Sequence, residues 1–198
     1  LSLSGAGTVT LAANQAGSKA WNAAAQVTTS FVVAKASQTI TFPAIPAKVY
    51  GAKPFKLTAA SGVKLPVTFT VVSGPATCMG ATVTLTGAGT VTLAASSVGN
   101  ANYLATSVTN SFIVAKAPQV ITITAPKSVK LSGGAFGVTA AATSGQPVLL
   151  SVTSGPASLT GTNTITPSGA GTVTIAAVQA GTVNYLGATN SRTITITK

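Results

Sequence analysis

The feature that most constrains this chain is an internal repeat with a period of about 81 residues. Ser73-Gly74-Pro75-Ala76 recurs as Ser154-Gly155-Pro156-Ala157. Gly-Ala-Gly-Thr-Val-Thr occurs at 5–10, 87–92 and 169–174. Asn102-Tyr103 returns as Asn184-Tyr185, with Trp21 in the matching place of the first copy. The sequence therefore predicts three domains: the C-terminal half of a repeat at 1–36, then full repeats at 37–117 and 118–198.

The partial repeat at 1–36 lacks the front half of a unit. It carries Val9, Leu11, Phe31 and Val33, which a piece of this size cannot bury by itself. Two explanations stay open: upstream residues complete the unit, or another chain completes it by β-strand addition. The second explanation predicts self-association into a surface filament.

Short runs rich in Val, Ile, Thr and Phe, bounded by Gly, Pro, Ser and Asn, predict an all-β fold. Val67, Phe69 and Val71 alternate with Thr68 and Thr70, as in a half-buried strand. Six or seven such strands in a unit predict a small antiparallel β-sandwich. In the middle repeat, strands are predicted at 38–42, 54–59, 67–72, 82–86, 90–96 and 108–116. Each Gly-Ala-Gly is predicted as a hairpin turn, where glycine tolerates a positive φ.

The linkers between the repeats are short. Lys35-Ala36-Ser37 and Lys116-Ala117-Pro118 leave little slack between the last strand of one unit and the first strand of the next. Short linkers favour a stiff rod of end-to-end sandwiches over a flexible string of domains.

The chain contains 11 Lys and Arg but no Asp, Glu or His, for a net charge of +11. Without carboxylates or imidazoles, paired-carboxylate hydrolysis and the usual Ser or Cys triads are excluded. Calcium cages and zinc clusters are excluded for the same reason, and one Cys makes no internal disulfide. A Ser–Lys dyad is the one catalytic arrangement left. We therefore expect no enzyme, no cofactor and no metal.

The positive charge comes from missing acids rather than from added bases. Three explanations stay open. The chain was selected or engineered for a cationic surface, it comes from an acidic habitat, or acids in it were misread as Ala, Ser or Asn when the sequence was obtained. Arg occurs once, which disfavours specific nucleic-acid recognition. The bases cluster only in the middle repeat, where a candidate contact for an anionic surface or glycan comprises Lys48, Lys53, Lys56 and Lys64. The alternative is scattered solubilising charge.

Several elements together resemble a known repeat type. They are Gln38–Phe42, Val49-Tyr50-Gly51, Leu65-Pro66-Val67, Ser73-Gly74-Pro75, Gly87–Val91 and Gly99–Tyr103. This string resembles bacterial Ig-like tandem repeats of the YDG/MBG-like kind, over nearly the whole chain. The resemblance implies Ig-like sandwiches in large secreted or cell-surface proteins, acting as stalks, scaffolds or adhesive arrays. It implies an extracellular location, and no transmembrane segment is visible in the sequence.

The chain departs from that family at three places. Ala52 and Ala47 stand where members commonly carry acids, which argues against calcium-stiffened linkers. Leu131-Ser132 replaces the Tyr50-Gly51 pair in the third repeat.

Two kinds of side chain invite functional interpretations. Trp21, Tyr103 and Tyr185 could stack on sugars, but we expect rings packed over the sandwich edge. Cys78 aligns with Leu159, so we expect an apolar slot rather than a reactive thiol.

Overall fold

The computed structural model describes residues 1–198 and is built almost entirely of β-strands. The first strands are β1 (Gly7–Ala13) and β2 (Val27–Val33). They pair antiparallel, with Val9 opposite Phe31, and form a two-stranded sheet. The half repeat thus folds as a single hairpin.

The middle repeat contains nine strands. They are β3 (Ile40–Thr41), β4 (Lys48–Val49), β5 (Phe55–Lys56), β6 (Ala60–Ser61), β7 (Thr68–Ser73), β8 (Ala76–Met79), β9 (Thr82–Leu85), β10 (Gly89–Ser97) and β11 (Thr106–Ala115). They form a four-stranded sheet in the order β4-β11-β10-β7, a three-stranded sheet β5-β9-β8, and the pair β3-β6.

The third repeat also contains nine strands and one 3-10 turn at Leu131–Gly133. They are β12 (Ile121–Thr124), β13 (Ser128–Lys130), β14 (Phe136–Gly137), β15 (Thr139–Ala142), β16 (Leu149–Ser154), β17 (Ala157–Thr160), β18 (Thr164–Pro167), β19 (Gly171–Gln179) and β20 (Ala188–Thr197). The sheet orders repeat those of the middle copy: β13-β20-β19-β16, β14-β18-β17 and β12-β15.

The core follows from the two-residue period of the strands. In β10, Val91, Leu93 and Ala95 are fully buried, and Val173, Ile175 and Ala177 are fully buried in β19. In the third repeat these side chains share one apolar cluster with Ile121 of β12 and Ile165 of β18. Apolar faces from different sheets therefore meet in one core. The fold is an all-β, Ig-like sandwich with mainly antiparallel strand pairing, as predicted from the sequence.

The structure corrects two details of the strand prediction. Two pairings are parallel rather than antiparallel: β4 with β11, and β13 with β20. Strands β4, β6 and β8 were not predicted, because such short segments carry too few β-branched residues to show a period of two.

The Gly-Ala-Gly turns at 87–89 and 169–171 are not hairpin turns, because the strands on either side of each lie in different sheets. The turn at 87–89 leads from β9, in the three-stranded sheet, to β10, in the four-stranded sheet. It therefore connects the two layers of a sandwich. The prediction of a positive φ is confirmed at the last glycine of each turn, where φ is 142° at Gly7, 144° at Gly89 and 149° at Gly171.

The chain divides into two compact units. The first unit comprises Leu1–Pro46, Pro54–Thr84 and Val91–Phe112, and the second comprises Ala47–Lys53, Leu85–Thr90 and Ile113–Lys198. The repeat boundaries at 36/37 and 117/118, and the rod, stay sequence predictions.

Candidate functional site: an asparagine clamp within each unit

A tight loop before the last strand of a repeat is shaped by its own residues. In the loop at 99–103, Gly99 has a φ of 73°, and a Cβ there would lie 2.3 Å from the carbonyl oxygen of Tyr103. The side-chain oxygen of Asn100 accepts the backbone N–H groups of Asn102 and Tyr103 at 2.8 and 2.9 Å. Short polar side chains favour such turns because they replace backbone hydrogen bonds locally. The loop is therefore preformed.

The loop at 181–185 is built in the same way. Gly181 has a φ of 89°, and the hydroxyl oxygen of Thr182 accepts the N–H groups of Asn184 and Tyr185, both at 3.1 Å. Thr182 therefore accepts, in this loop, the two backbone N–H groups equivalent to those that Asn100 accepts in the loop at 99–103. Each loop presents one asparagine, Asn102 or Asn184, immediately before its tyrosine.

In the first unit, Asn102 makes two hydrogen bonds to the half repeat. Its side-chain Oδ1 accepts the backbone N–H of Ala6 at 2.9 Å. Its carbonyl oxygen accepts the N–H of Ala36 at 2.8 Å, and Leu104 donates back to the Ala36 carbonyl at 2.9 Å. The Nζ of Lys35 donates to the carbonyl of Asn100 at 2.8 Å.

In the second unit, Asn184 makes the same set of bonds. Its Oδ1 accepts the N–H of Ala88 at 2.9 Å. Its carbonyl accepts the N–H of Ala117, and Leu186 donates to the Ala117 carbonyl, both at 2.9 Å. The Nζ of Lys116 donates to the carbonyl of Thr182 at 2.7 Å. We call each of these sets an asparagine clamp; in both, the two sides belong to different predicted repeats.

The first clamp explains why residue 5 is a glycine. A Cβ on Gly5 would lie 2.7 Å from the Oδ1 of Asn102, closer than non-bonded atoms approach each other. Glycine therefore opens the space through which the asparagine reaches the N–H of Ala6.

A buried glutamine holds each loop from the other side. Gln38 donates from Nε2 to the carbonyl of Leu104 at 2.8 Å and accepts the hydroxyl of Ser61 at 2.8 Å. Gln119 bonds in the same way to the carbonyl of Leu186 and the hydroxyl of Ser144, and also to Gln179. Both glutamines are buried, and a buried polar atom without a hydrogen-bond partner destabilises the fold. These bonds supply those partners.

The three equivalent aromatic residues have different surroundings. Tyr185 is half-buried and packs edge-on against Tyr50, with ring centroids 5.5 Å apart. Tyr103 is half-buried in a shallow cleft that Leu3 and Val33 also line. Trp21 is 78% exposed, so the expectation of a packed ring is wrong for Trp21. Its loop carries Ala20 in the place of the clamp asparagine.

The four lysines predicted as a contact surface lie on separate elements. Lys48 is half-buried in β4, and Lys53 is exposed in the second unit. Lys56 is exposed in β5, and Lys64 is exposed in a turn with a φ of 59°, both in the first unit. That these four lysines together bind an anionic surface or a glycan stays a prediction.

Cys78 is half-buried in β8, and its thiol donates to the carbonyl of Gly80 at 3.3 Å. Burial raises the pKa of this thiol. The structure contains no helix with the length and hydropathy that a membrane crossing requires.

The role of the two clamp asparagines was not predicted from the sequence. There, Asn102-Tyr103 and Asn184-Tyr185 are visible only as markers of the repeat. The available signal was their constant spacing: each asparagine follows its bonded alanine by 96 residues.

No protein-family model and no curated protein sequence matches the chain. Among solved structures, it is similar to Drosophila N-cadherin EC1-4, with 12% identity, a TM-score of 0.40, and coverage of 98% of this chain and 57% of the other. It is similar to the Ig1-2 module of the Drosophila receptor protein tyrosine phosphatase DLAR, with 10% identity, a TM-score of 0.30, and coverage of 82% and 100%.

A third similar structure is BT4661, a SusE-like surface located polysaccharide binding protein from Bacteroides thetaiotaomicron. The identity is 10% and the TM-score 0.31, with coverage of 80% of this chain and 34% of the other. The chain thus spans about a third of that protein and little more than half of the N-cadherin fragment.

Proposed function

We propose that the chain is a structural repeat module of a bacterial extracellular surface protein or filament, of the YDG/MBG-like kind. In this proposal it acts as a stalk or scaffold, and its partners are neighbouring Ig-like repeats. The observation that supports this most is the asparagine clamp, which occurs twice with the same atoms and the same sequence separation of 96 residues.

The clamp has the chemistry expected of a stiff junction. Each clamp combines a side-chain bond, two backbone bonds and a lysine bond, and hydrogen bonds of this kind contribute about 0.5–1.5 kcal/mol each. Because hydrogen bonds are directional, several in one place restrict rotation as well as separation. Short linkers add to the same effect.

The composition suits this role. A chain without Asp, Glu or His lacks the carboxylates and imidazoles that most often serve in acid–base catalysis and metal binding, so we propose that it is not an enzyme. Threonine side chains on the outer strand faces make the sheet surfaces polar and hydrated. The half repeat is where such a module would gain further β-structure, because both outer edges of its two-stranded sheet are open.

Nuclear spin relaxation of the intact chain tests the proposal. If the clamps stiffen the junctions, the amides of all three predicted repeats will report one shared anisotropic rotation. The double substitution Asn102→Ala and Asn184→Ala should split this into separate correlation times. The matched control is Asn14→Ala with Asn163→Ala, which removes exposed side chains outside the clamps. Independent rotation of the repeats in the unmodified chain would contradict the stalk function.

The second candidate function is an adhesin-type module that binds glycan or an anionic surface. The exposure of Lys53, Lys56 and Lys64, in a chain without acids to neutralise them, favours it. Replacing these three and Lys48 by Gln should weaken binding to sulfated dextran at low salt at least about tenfold. The control replaces Lys19, Lys127, Lys130 and Lys198, which removes the same charge. Equal losses in both variants would indicate non-specific attraction only.

A further inference from the structure

The half repeat exposes an apolar face that is buried in both full repeats. Leu11 and Phe31 are 39% and 38% exposed. Their repeat equivalents are Leu93 and Phe112 in the middle copy, at 0% and 4%, and Ile175 and Ile194 in the third, at 0% and 1%. The half repeat and the third repeat share the same strand pairing, because Val9 lies opposite Phe31 as Val173 lies opposite Ile194. The hairpin therefore has the strand register of a full repeat, but no other strands pack on its apolar face.

The full repeats show what covers this face. The equivalent of β1 is β10, whose outer edge pairs with β7 through Leu93 opposite Val71. The equivalent of β2 is β11, whose outer edge pairs in parallel with β4 through Val114 opposite Lys48. Buried Leu57 and Val83 complete the core of the first unit. All these covering residues belong to the front half of a repeat.

The first four residues carry the pattern of the last strand of such a front half. Leu1 and Leu3 precede Gly5-Ala6-Gly7 at the distances at which Val83 and Leu85 precede Gly87-Ala88-Gly89. Val83 lies in β9 and is fully buried, as is its equivalent Ile165 in β18. Leu1 is 87% exposed.

We propose that the open face of the half repeat is a docking surface for the front half of a repeat of this same kind, joined to it through residues 1–4. The joined segment would add an antiparallel strand beside β1 and a short parallel strand beside β2. It would also turn Leu1–Ser4 into a strand equivalent to β9. Burial of the apolar surface that Leu1, Leu11 and Phe31 still expose supplies the driving force.

This inference rests on the proposed function only in taking the chain as a series of like repeats. It concerns the sheet of the half repeat and not the clamps. Independent rotation of the repeats would therefore contradict the stalk function and leave this docking surface untouched.

The test extends the full chain at its N-terminus with a copy of residues 37–82, so that the copied Thr82 precedes Leu1 as Thr82 precedes Val83. The control extension carries the same residues in scrambled order. Amide hydrogen exchange of β1 and β2 is measured together with sedimentation. We expect the correct extension, and not the scrambled one, to raise amide protection on the outer edges at least about a hundredfold, in a monomer.

Two results would overturn the proposal. One is that the outer-edge amides of β1 and β2 exchange as fast with the correct extension as with the scrambled one. The other is that the unextended chain sediments as a dimer with these amides already protected. That second result would make a second copy of the chain the occupant of the face.

Discussion

The side-chain oxygen of Asn184 accepts the backbone N–H of Ala88 at 2.9 Å, and Asn102 binds Ala6 at the same distance. Because each asparagine stands on a loop that its own residues preform, little further ordering is needed to make the bond. The repeated bond gives the two clamps a common chemistry that substitutions can test.

Removal of the Asn184 side chain should destabilise the protein measurably. Asn184→Ala takes away the acceptor of the Ala88 N–H, and we expect a loss of about 1–2 kcal/mol in the free energy of unfolding. Asn184→Asp keeps an acceptor oxygen and should lose less. Urea unfolding followed by circular dichroism measures both. The control is Asn163→Ala, whose amide is exposed outside the clamps; an equal loss there would contradict the role of Asn184.

A methyl group on Gly5 should disturb the first clamp. Its Cβ would lie 2.7 Å from the Oδ1 of Asn102, so Gly5→Ala should break the bond to Ala6. A double-mutant cycle with Asn102→Ala separates this clash from general effects, because Gly5→Ala should cost less once the side chain is gone. Gly133→Ala serves as the control, since a Cβ there meets no atom within 4 Å. Additive losses in the cycle would exclude the clash.

The buried glutamine should be more costly to replace than an exposed one. Gln38→Leu leaves the Ser61 hydroxyl and the Leu104 carbonyl without this partner, and we expect a loss of about 2–4 kcal/mol on urea unfolding. Gln26→Leu removes an exposed glutamine that bonds Asn14, and should cost under about 0.5 kcal/mol. If adding Ser61→Ala to Gln38→Leu restores no stability, the bond to Ser61 contributes nothing.

The thiol of Cys78 should react slowly near neutral pH. Burial raises its pKa, so less thiolate is present in the folded protein than in the unfolded chain. The raised pKa stabilises the folded state below the ordinary thiol pKa, and this contribution is lost as the pH rises through the folded-state value. Iodoacetamide labelling at pH 8 should therefore speed up in urea. Equal rates in the folded and unfolded chain would contradict the burial effect.

The sequence predicted the long strands well because their signal is local. In β10, apolar Val91, Leu93 and Ala95 alternate along the strand, and all three are fully buried. The short strand β4 and its parallel pairing with β11 could not be predicted in this way, since that pairing depends on residues far apart in the chain.

The asparagine clamp was not predicted for the same reason, since it also joins residues that are far apart in the chain. The Gly-Ala-Gly turn and the Asn-Tyr pair were both visible as repeated elements, but nothing local indicates that a side chain from one reaches the backbone of the other. The environment of Trp21 was mispredicted for a related reason. Tyr185 packs against the ring of Tyr50, which is distant in sequence, but no aromatic ring packs against Trp21 in the structure.

Amide hydrogen exchange at Ala88 tests the central claim, that the asparagine side chain joins one predicted repeat to the next. In the unmodified chain the N–H of Ala88 is held by Asn184, and we expect Asn184→Ala to speed its exchange at least about tenfold, while Asn163→Ala leaves it unchanged. Slow exchange at Ala88 in both variants, or fast exchange in the unmodified chain, would contradict the clamp.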